Sequence, residues 1–404
     1  MNHNGNLLAR AGSGHSPQQA AAPLVIATIL REQGPTGVQT HVQQLRRYLE
    51  GTGETTTFVS PFSWGAPLTY PVFGVRMLLV RCSNSASVAW YRHWHEVFLR
   101  KALRRRLSQV GDCVVYAQGP LEARAALRAR RGPHQRIVMA VHFKTSQADE
   151  WVNTKGNPIR RGGVVYRAVR RDERATIPRV DGLVYVSEWA REALLSWLPE
   201  AAAVPSAVIG NFVAPLDIQS RQEPLGDLVT IGYLDLVKNH QFMLKVLAEA
   251  KKAGHIFTLD AYGKGPLKEE LLRQARSLGI EEQVRLRGYR SDVRHSLPYY
   301  RAYVHASYSE TSSLSIIEAM AAGLPIVAGA IGPITELFDD GVEGRFWPLD
   351  DPAEAAATLI NLLGSEQVRL AAARAARDRF RRDFDVAVIA PRLLTFLHGT
   401  TPAV

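Results

Sequence analysis

From residue 23 onward the chain alternates short apolar runs with longer stretches whose apolar residues recur every three to four positions. The runs "LVIATIL" (24–30), "CVVYAQ" (113–118), "RIVMAVH" (136–142) and "GLVYVS" (182–187) read as buried strands, too short for helices and rich in β-branched side chains. A second series follows: "LVTIGYL" (228–234), "FTLDAYG" (257–263), "VRLRG" (284–288), "AYVHAS" (302–307) and "LPIVAGA" (324–330). Helical periods lie between them. "VQTHVQQLRRYLEGTG" (38–53) has Gly51 and Gly53 as C-terminal stops, and 239–253 sets Phe242, Met243, Val246, Leu247 and Ala250 on one face behind an Asn239 N-cap. This alternation predicts an α/β chain with a parallel, doubly wound sheet in each half. Ligands of such sheets bind at the carboxyl ends of the strands, here in a cleft between two facing domains.

The boundaries expected from this grammar are a disordered tail at 1–22, an N-terminal domain at 23–210, a linker at 211–227, a C-terminal domain at 228–385 and a final segment at 386–404. The tail is rich in Asn, Gly, Ser, Gln and Ala and lacks the charged start and apolar run of a signal peptide. No stretch reaches the roughly 18 apolar residues of a membrane span. Cys82 and Cys113 lack partners at metal-ligand spacing and suit a reducing compartment, so a cytoplasmic location is expected.

Charge separates the halves. Of the net +11, residues 1–210 carry 27 Lys and Arg against 14 Asp and Glu, and the remainder 22 against 24. Clusters such as Arg104-Arg105-Arg106 and Arg167, Arg170 and Arg171 fit solvated helix faces, an anionic membrane surface reached peripherally from the inner side, or an anionic acceptor. No nucleic-acid-binding motif accompanies them, so nucleic acid is not an expected partner.

Chemistry is expected in the loops after strands. Gly34 and Gly37 precede the first helix, where backbone N–H groups can approach an anion. His142 ends a strand, placed to hydrogen-bond a sugar hydroxyl or move a proton. Lys238 precedes a helix near a strand end and offers a point charge to phosphate. In "SYSETSSLSIIEAMAAGLPIV" (307–327), Ser312 or Ser313 can cap a helix whose free N–H groups face the cleft. Glu310 lies before that cap and Glu318 inside the helix, where a carboxylate needs a partner; a ribose diol can be one. His93 and His95 flank Trp94 without a third ligand, so no metal site is expected.

These pieces resemble the GT-B glycosyltransferases of family 4, a large retaining group with a Glu-x7-Glu element. The resemblance rests on Glu310 followed by Glu318-Ala319-Met320-Ala321-Ala322-Gly323-Leu324-Pro325, on "YGKGPLKEELLRQARSLGIEEQVRLRGYRSDV" and on "GPITELFDDGVEGRFWPLDDPAEAA". It implies a GT-B fold of two Rossmann-like domains. It also implies transfer from a UDP- or GDP-sugar to a glycan or lipid-linked acceptor, in cell-surface polysaccharide or glycolipid synthesis, with no metal and no cofactor. By the same resemblance Glu310 and His142 would meet the donor sugar, Glu318 the ribose, and Tyr289 and Arg290 the base. The helix start at Ser312, Ser313 and Leu314 would hold the diphosphate with Lys238 and Gly37, and the final segment would cross back to the N-terminal domain. Two positions depart from the family pattern. Tyr233 stands where an arginine five residues before the lysine is usual, with Lys264 a conceivable substitute, and Thr311-Ser312-Ser313 replaces Gly-Phe-Gly. Tyr233 motivates the alternative of a non-catalytic nucleotide-binding or partner-binding protein; a pyridoxal-phosphate phosphorylase is not expected, for want of a cofactor-lysine segment.

Overall fold

The computed structural model describes residues 22–399, apart from 33, 35, 64–68, 154–157 and 218–223. The expected disordered tail lies outside the described residues but for Ala22, as does the middle of the expected linker.

The N-terminal sheet contains β1 (Leu24–Ala27), β2 (Thr56–Val59), β3 (Cys113–Ala117), β4 (Gln135–Val141), β5 (Gly182–Tyr185) and β6 (Ser206–Val208). Its helices are α1 (Gly37–Thr52), α2 (Thr69–Cys82), α3 (Asn84–Leu107), α4 (Pro120–Ala129), α5 (Gln147–Asn153), α6 (Val164–Thr176) and α7 (Glu188–Leu195). The C-terminal sheet contains β7 (Leu228–Ile231), β8 (Leu259–Tyr262), β9 (Val284–Gly288), β10 (Ala302–His305), β11 (Ile326–Gly329) and β12 (Gly344–Trp347). With it go α8 (His240–Lys252), α9 (Lys268–Ser277), α10 (Leu314–Ala321), α11 (Pro352–Gly364), α12 (Glu366–Asp383) and α13 (Val386–His398).

Both sheets are wholly parallel, in the orders β2-β1-β3-β4-β5-β6 and β12-β11-β10-β7-β8-β9. Each is therefore a doubly wound Rossmann-like sheet, with switch points between β1 and β3 and between β7 and β10. Period-two strands send their side chains to two cores. Leu24 and Ile26 join Tyr116 and Val138 on one face, while Val25 and Ala27 join Val115 and Ile137 on the other. Burying each large aliphatic side chain contributes about 1.5–3 kcal/mol, so two-sided burial explains why these strands read as continuous apolar runs.

Helix α1 starts with a capping box, Thr36 and Gln39 exchanging side-chain and backbone hydrogen bonds, and ends at Gly53 in the left-handed conformation (φ 75). Gly51 is inside the helix, so only the second expected stop ends it. Asn239 does precede α8 but does not cap it by its side chain. Its backbone is left-handed (φ 52), a conformation Asn tolerates, and the turn is tied instead by the Lys238 N–H donating to Asp235 Oδ1 at 2.9 Å. At the next loop a side chain on Gly263 (φ 155) would lie 1.8 Å from the Gly232 carbonyl oxygen, so this backbone contact needs glycine.

Several connections join the domains around the cleft. Helix α13 buries Ile389, Leu393 and Leu397 in the same core as Leu24, Ile26 and Tyr116 of the N-terminal sheet. Ser187 Oγ donates to the Thr311 carbonyl at 3.2 Å. The carboxylate of Glu336, from the C-terminal domain, accepts the N–H groups of Glu188 and Trp189 at 2.9 and 2.8 Å, at the start of α7 in the other domain.

Candidate functional site

The loops leaving β1, β4, β7 and β10 converge at the two switch points, and most of the expected site residues lie on them. Lys238 ends the loop after β7, and Glu310 lies in the loop after β10. Lys238 Nζ donates to Glu310 Oε1 at 2.5 Å, and His305 Nε2, at the end of β10, lies 3.1 Å from the same oxygen. Glu310 is only 11% exposed. Burial alone would raise its pKa, but the Lys238 ammonium and His305 outweigh it and hold the carboxyl well below the usual range. A fixed negative charge and a fixed positive charge thus stand side by side at the sheet's switch point.

Helix α10 begins beside this pair. Ser313 occupies its N-cap position without a side-chain cap; its hydroxyl lies 3.2 Å from Ser315 Oγ instead, and Ser312 Oγ is buried without a partner. Neither serine therefore caps the helix in the way expected. The N–H groups of Leu314 and Ser315 find no acceptor among the described residues, leaving a helix N-terminus that attracts an anion. Across the cleft, a Cβ on Gly37 would meet Leu314 Cδ1 at 3.5 Å. The N-terminus of α1 therefore faces that of α10 with backbone at its surface.

Glu318 is at the far side, inside α10. Burial pushes its carboxyl up to about 7, offset in part by Arg294, whose Nε lies 3.6 Å from Oε1. Its residue walls a cavity of about 770 Å³ together with Tyr289 and Arg290 and with Arg46 and Arg47 from α1. Arg290 pairs with Asp292 there at 2.7 Å, and Tyr289 is 53% exposed. Tyr233 is 54% exposed, and its hydroxyl makes no hydrogen bond among the described residues. Lys264 lies 5.8 Å from the centre of the Tyr289 ring, which lines the same cavity as Glu318.

On the N-terminal wall, His142 Nε2 pairs with Gln118 Oε1 at 3.0 Å, and its ring sits edge-on to His41 at 5.3 Å. Burial pushes the His142 pKa down to about 3, with His41 adding to the effect, so the imidazole is neutral at pH 7. His93 and His95 do not converge on a metal geometry. His95 bonds the Tyr91 carbonyl at 2.8 Å, and among the described residues no group of three or more His, Cys, Asp or Glu could hold an ion.

Four participants escaped the reading of the sequence: His305, Arg294, Arg47 and Lys144. His305 had a signal, a polar residue closing an otherwise buried strand. Lys144 had none, since it lies in the bend after β4 and reaches Ser309 only across the cleft. Arg47 and Arg294 had none, since each is one arginine among many until the domains meet.

Residues 35–215 match the family model described as Glycosyltransferase Family 4, and residues 226–365 match that described as Glycosyl transferases group 1. The chain is 25% identical over 369 residues to a phosphatidyl-myo-inositol mannosyltransferase of Mycobacterium leprae, covering 89% of this chain and 92% of the relative. It is 27% identical over 231 residues to an alpha-monoglucosyldiacylglycerol synthase of Streptococcus pneumoniae, covering 52% of this chain. The match spans about half the length of that curated relative (50%). The HepE protein of Anabaena, solved with UDP, superposes with a TM-score of 0.65 at 16% identity, covering 94% of this chain and all of that one (100%).

Proposed function

We propose, for a chain that belongs to the family 4 glycosyltransferases of GT-B fold, that it moves a sugar from a UDP- or GDP-linked donor to a lipid-linked or glycan acceptor with retention of configuration. The observation that carries this is the Lys238–Glu310 pair beside the open N-terminus of α10. Lys238 and the N–H groups of Leu314 and Ser315 offer positive charge to a leaving diphosphate, where it counts most as charge develops. Glu310, held ionised, accepts hydrogen bonds from donor-sugar hydroxyls; Glu318 faces the ribose and the wall at Tyr289 and Arg290 the base. Gly37 brings backbone to the diphosphate from the other domain, and the neutral His142 offers a hydrogen bond to the sugar.

In the transfer itself, the bond from the anomeric carbon to the β-phosphate oxygen breaks. The acceptor oxygen bonds the anomeric carbon from the same face, and its proton passes to the departing phosphate oxygen. No metal and no cofactor takes part in this reading, because Lys238 and the helix terminus carry the compensating charge.

The acceptor side belongs to the N-terminal domain. Helix α2 exposes Tyr70, Met77 and Leu78 at 70, 76 and 64%, spaced on one face with Arg81. Beneath it Arg76, stacked 4.3 Å over Tyr91, lines a cavity of about 390 Å³ with Arg92, Gln147 and Trp151. An apolar stripe beside guanidinium groups fits the headgroup region of an anionic bilayer, reached peripherally from the cytoplasmic face. Among the described residues no helix is long and apolar enough to cross a membrane. The mannosyltransferase and the synthase above carry lipids in their names, phosphatidyl-myo-inositol and a glucosyldiacylglycerol, which supports a lipid-linked acceptor.

The test is calorimetric titration with UDP and GDP, followed by hydrolysis of their sugars with the released anomer read by NMR. Binding of one nucleotide and release of the donor's own anomer are expected. Failure to bind either nucleotide overturns the proposal, and binding without turnover in the presence of lipid acceptors selects the non-catalytic alternative. Leu78→Asp should abolish co-sedimentation with phosphatidylglycerol vesicles; unchanged sedimentation removes the membrane part.

A further inference from the structure

Lys144 leaves the end of β4 and crosses the cleft to donate a hydrogen bond to Ser309 Oγ in the loop after β10. Ser309 directly precedes Glu310, so the ammonium arrives beside the Lys238–Glu310 pair from the opposite domain. Its surroundings are charged: burial lowers its pKa, Glu310, Glu150 and Asp235 favour the cation, and Lys238 opposes it. Two cations from opposite domains, Lys144 and Lys238, thus stand beside the Glu310 carboxylate, with Glu150 and Asp235 in their wider surroundings.

The same loop system lacks a cation elsewhere. Tyr233, in the position where the resemblance expects arginine, is exposed and brings no charge. Lys264, the substitute the sequence offers, is engaged over the Tyr289 ring. The residue that does reach the Lys238–Glu310 pair is Lys144, whose neighbour Ser309 lies five residues before the open N-terminus of α10 at Leu314.

We propose that Lys144 is the second cation for the leaving diphosphate, supplied by the N-terminal domain in place of an arginine at position 233. This rests on the donor reading above. It makes the charge of the site a shared property of two domains: Lys238 is present whenever the C-terminal domain is folded, whereas Lys144 joins it only when the cleft is closed.

The experiment compares the wild type, Lys144→Gln, Lys144→Arg and the double variant Lys144→Gln with Tyr233→Arg, each checked by thermal melting. Binding of uridine, UMP and UDP is measured by calorimetry at two salt concentrations, with the guanosine series if the wild type prefers it, alongside donor hydrolysis. Lys144→Gln should lose about 10- to 100-fold in diphosphate affinity, the range of one charge-assisted hydrogen bond, and show a shallower salt dependence with nucleoside binding unchanged. Lys144→Arg should keep most of the affinity, and Tyr233→Arg should restore it in the Lys144→Gln background. Wild-type UDP binding by Lys144→Gln, an equal loss for uridine and UDP, or no rescue by Tyr233→Arg overturns the assignment. If Lys238→Ala weakens UDP binding while Lys144→Gln does not, this inference fails and the donor reading stands; if the wild type binds no nucleotide, the donor reading fails first.

Discussion

The two carboxylates of the C-terminal wall, with seven residues between them and almost equally buried (11 and 13% exposed), live in opposite electrostatic worlds. Glu310 touches Lys238 at 2.5 Å and His305 at 3.1 Å and is held ionised far into acid. Glu318 has one cation at 3.6 Å and is pushed up to about 7. Burial is the same for both; contact with a charged donor is what differs. The approach to α10 is preorganised around charge, whereas the carboxyl inside it is not, which suits the neutral, hydroxyl-rich ligand proposed for it.

The sharpest way to break this contrast is at Glu310. Glu310→Gln leaves the half-buried Lys238 without its carboxylate, and Lys238→Ala leaves Glu310 with His305 and Lys144 beside it. Each should cost about 1–3 kcal/mol of stability, read by denaturant unfolding, and lower donor turnover by roughly 10²–10³. A variant that keeps wild-type turnover would show the pair to be structural.

Glu318 should answer differently and with a pH signature. Its folded pKa of about 7 lies above the unfolded value, so its contribution to stability is full below about pH 4.3 and is lost as pH rises through 7. Glu318→Gln cannot ionise, and should therefore melt higher than wild type at pH 8 and equally at about pH 4, while nucleotide affinity falls about tenfold. For Glu310 the sign is reversed: a depressed pKa stabilises above about pH 4.3 and fades only as pH falls through the lower folded value. A melting curve for Glu318→Gln that tracks wild type at both pH values would remove the contrast.

The smallest effect belongs to Gly37. An added Cβ meets Leu314 at 3.5 Å, an ordinary contact, so Gly37→Ala should leave stability within about 0.5 kcal/mol and slow turnover only several-fold by narrowing the diphosphate approach. A loss as large as that of Lys238→Ala would mean the two helix starts come closer during transfer than they stand here.

Legibility followed the same divide. The central strands were readable because both their faces are buried, which turns Leu24–Ala27 or Ile326–Gly329 into unbroken apolar runs. The edge strand Thr56–Val59 was not, since its first three residues are only half-buried and read as polar loop. Glu310, Lys238 and Glu318 were readable because one loop-helix segment and one strand end carry them. Residues that matter only through the opposite domain, such as Lys144 and Arg47, leave no periodic trace; a distance across a cleft is not a local property of a chain.

Glu336 gives the closed cleft a mechanical meaning. Ser187 caps α7 from within its own domain, and a carboxylate of the other domain accepts the two N–H groups before that bond, so parting the domains costs two charge-assisted hydrogen bonds. On the donor reading proposed above, admission of a donor would trade one anion for another, an incoming diphosphate at α10 against a departing carboxylate at α7. The molecule at rest behaves less like an open jaw than like a sprung clasp.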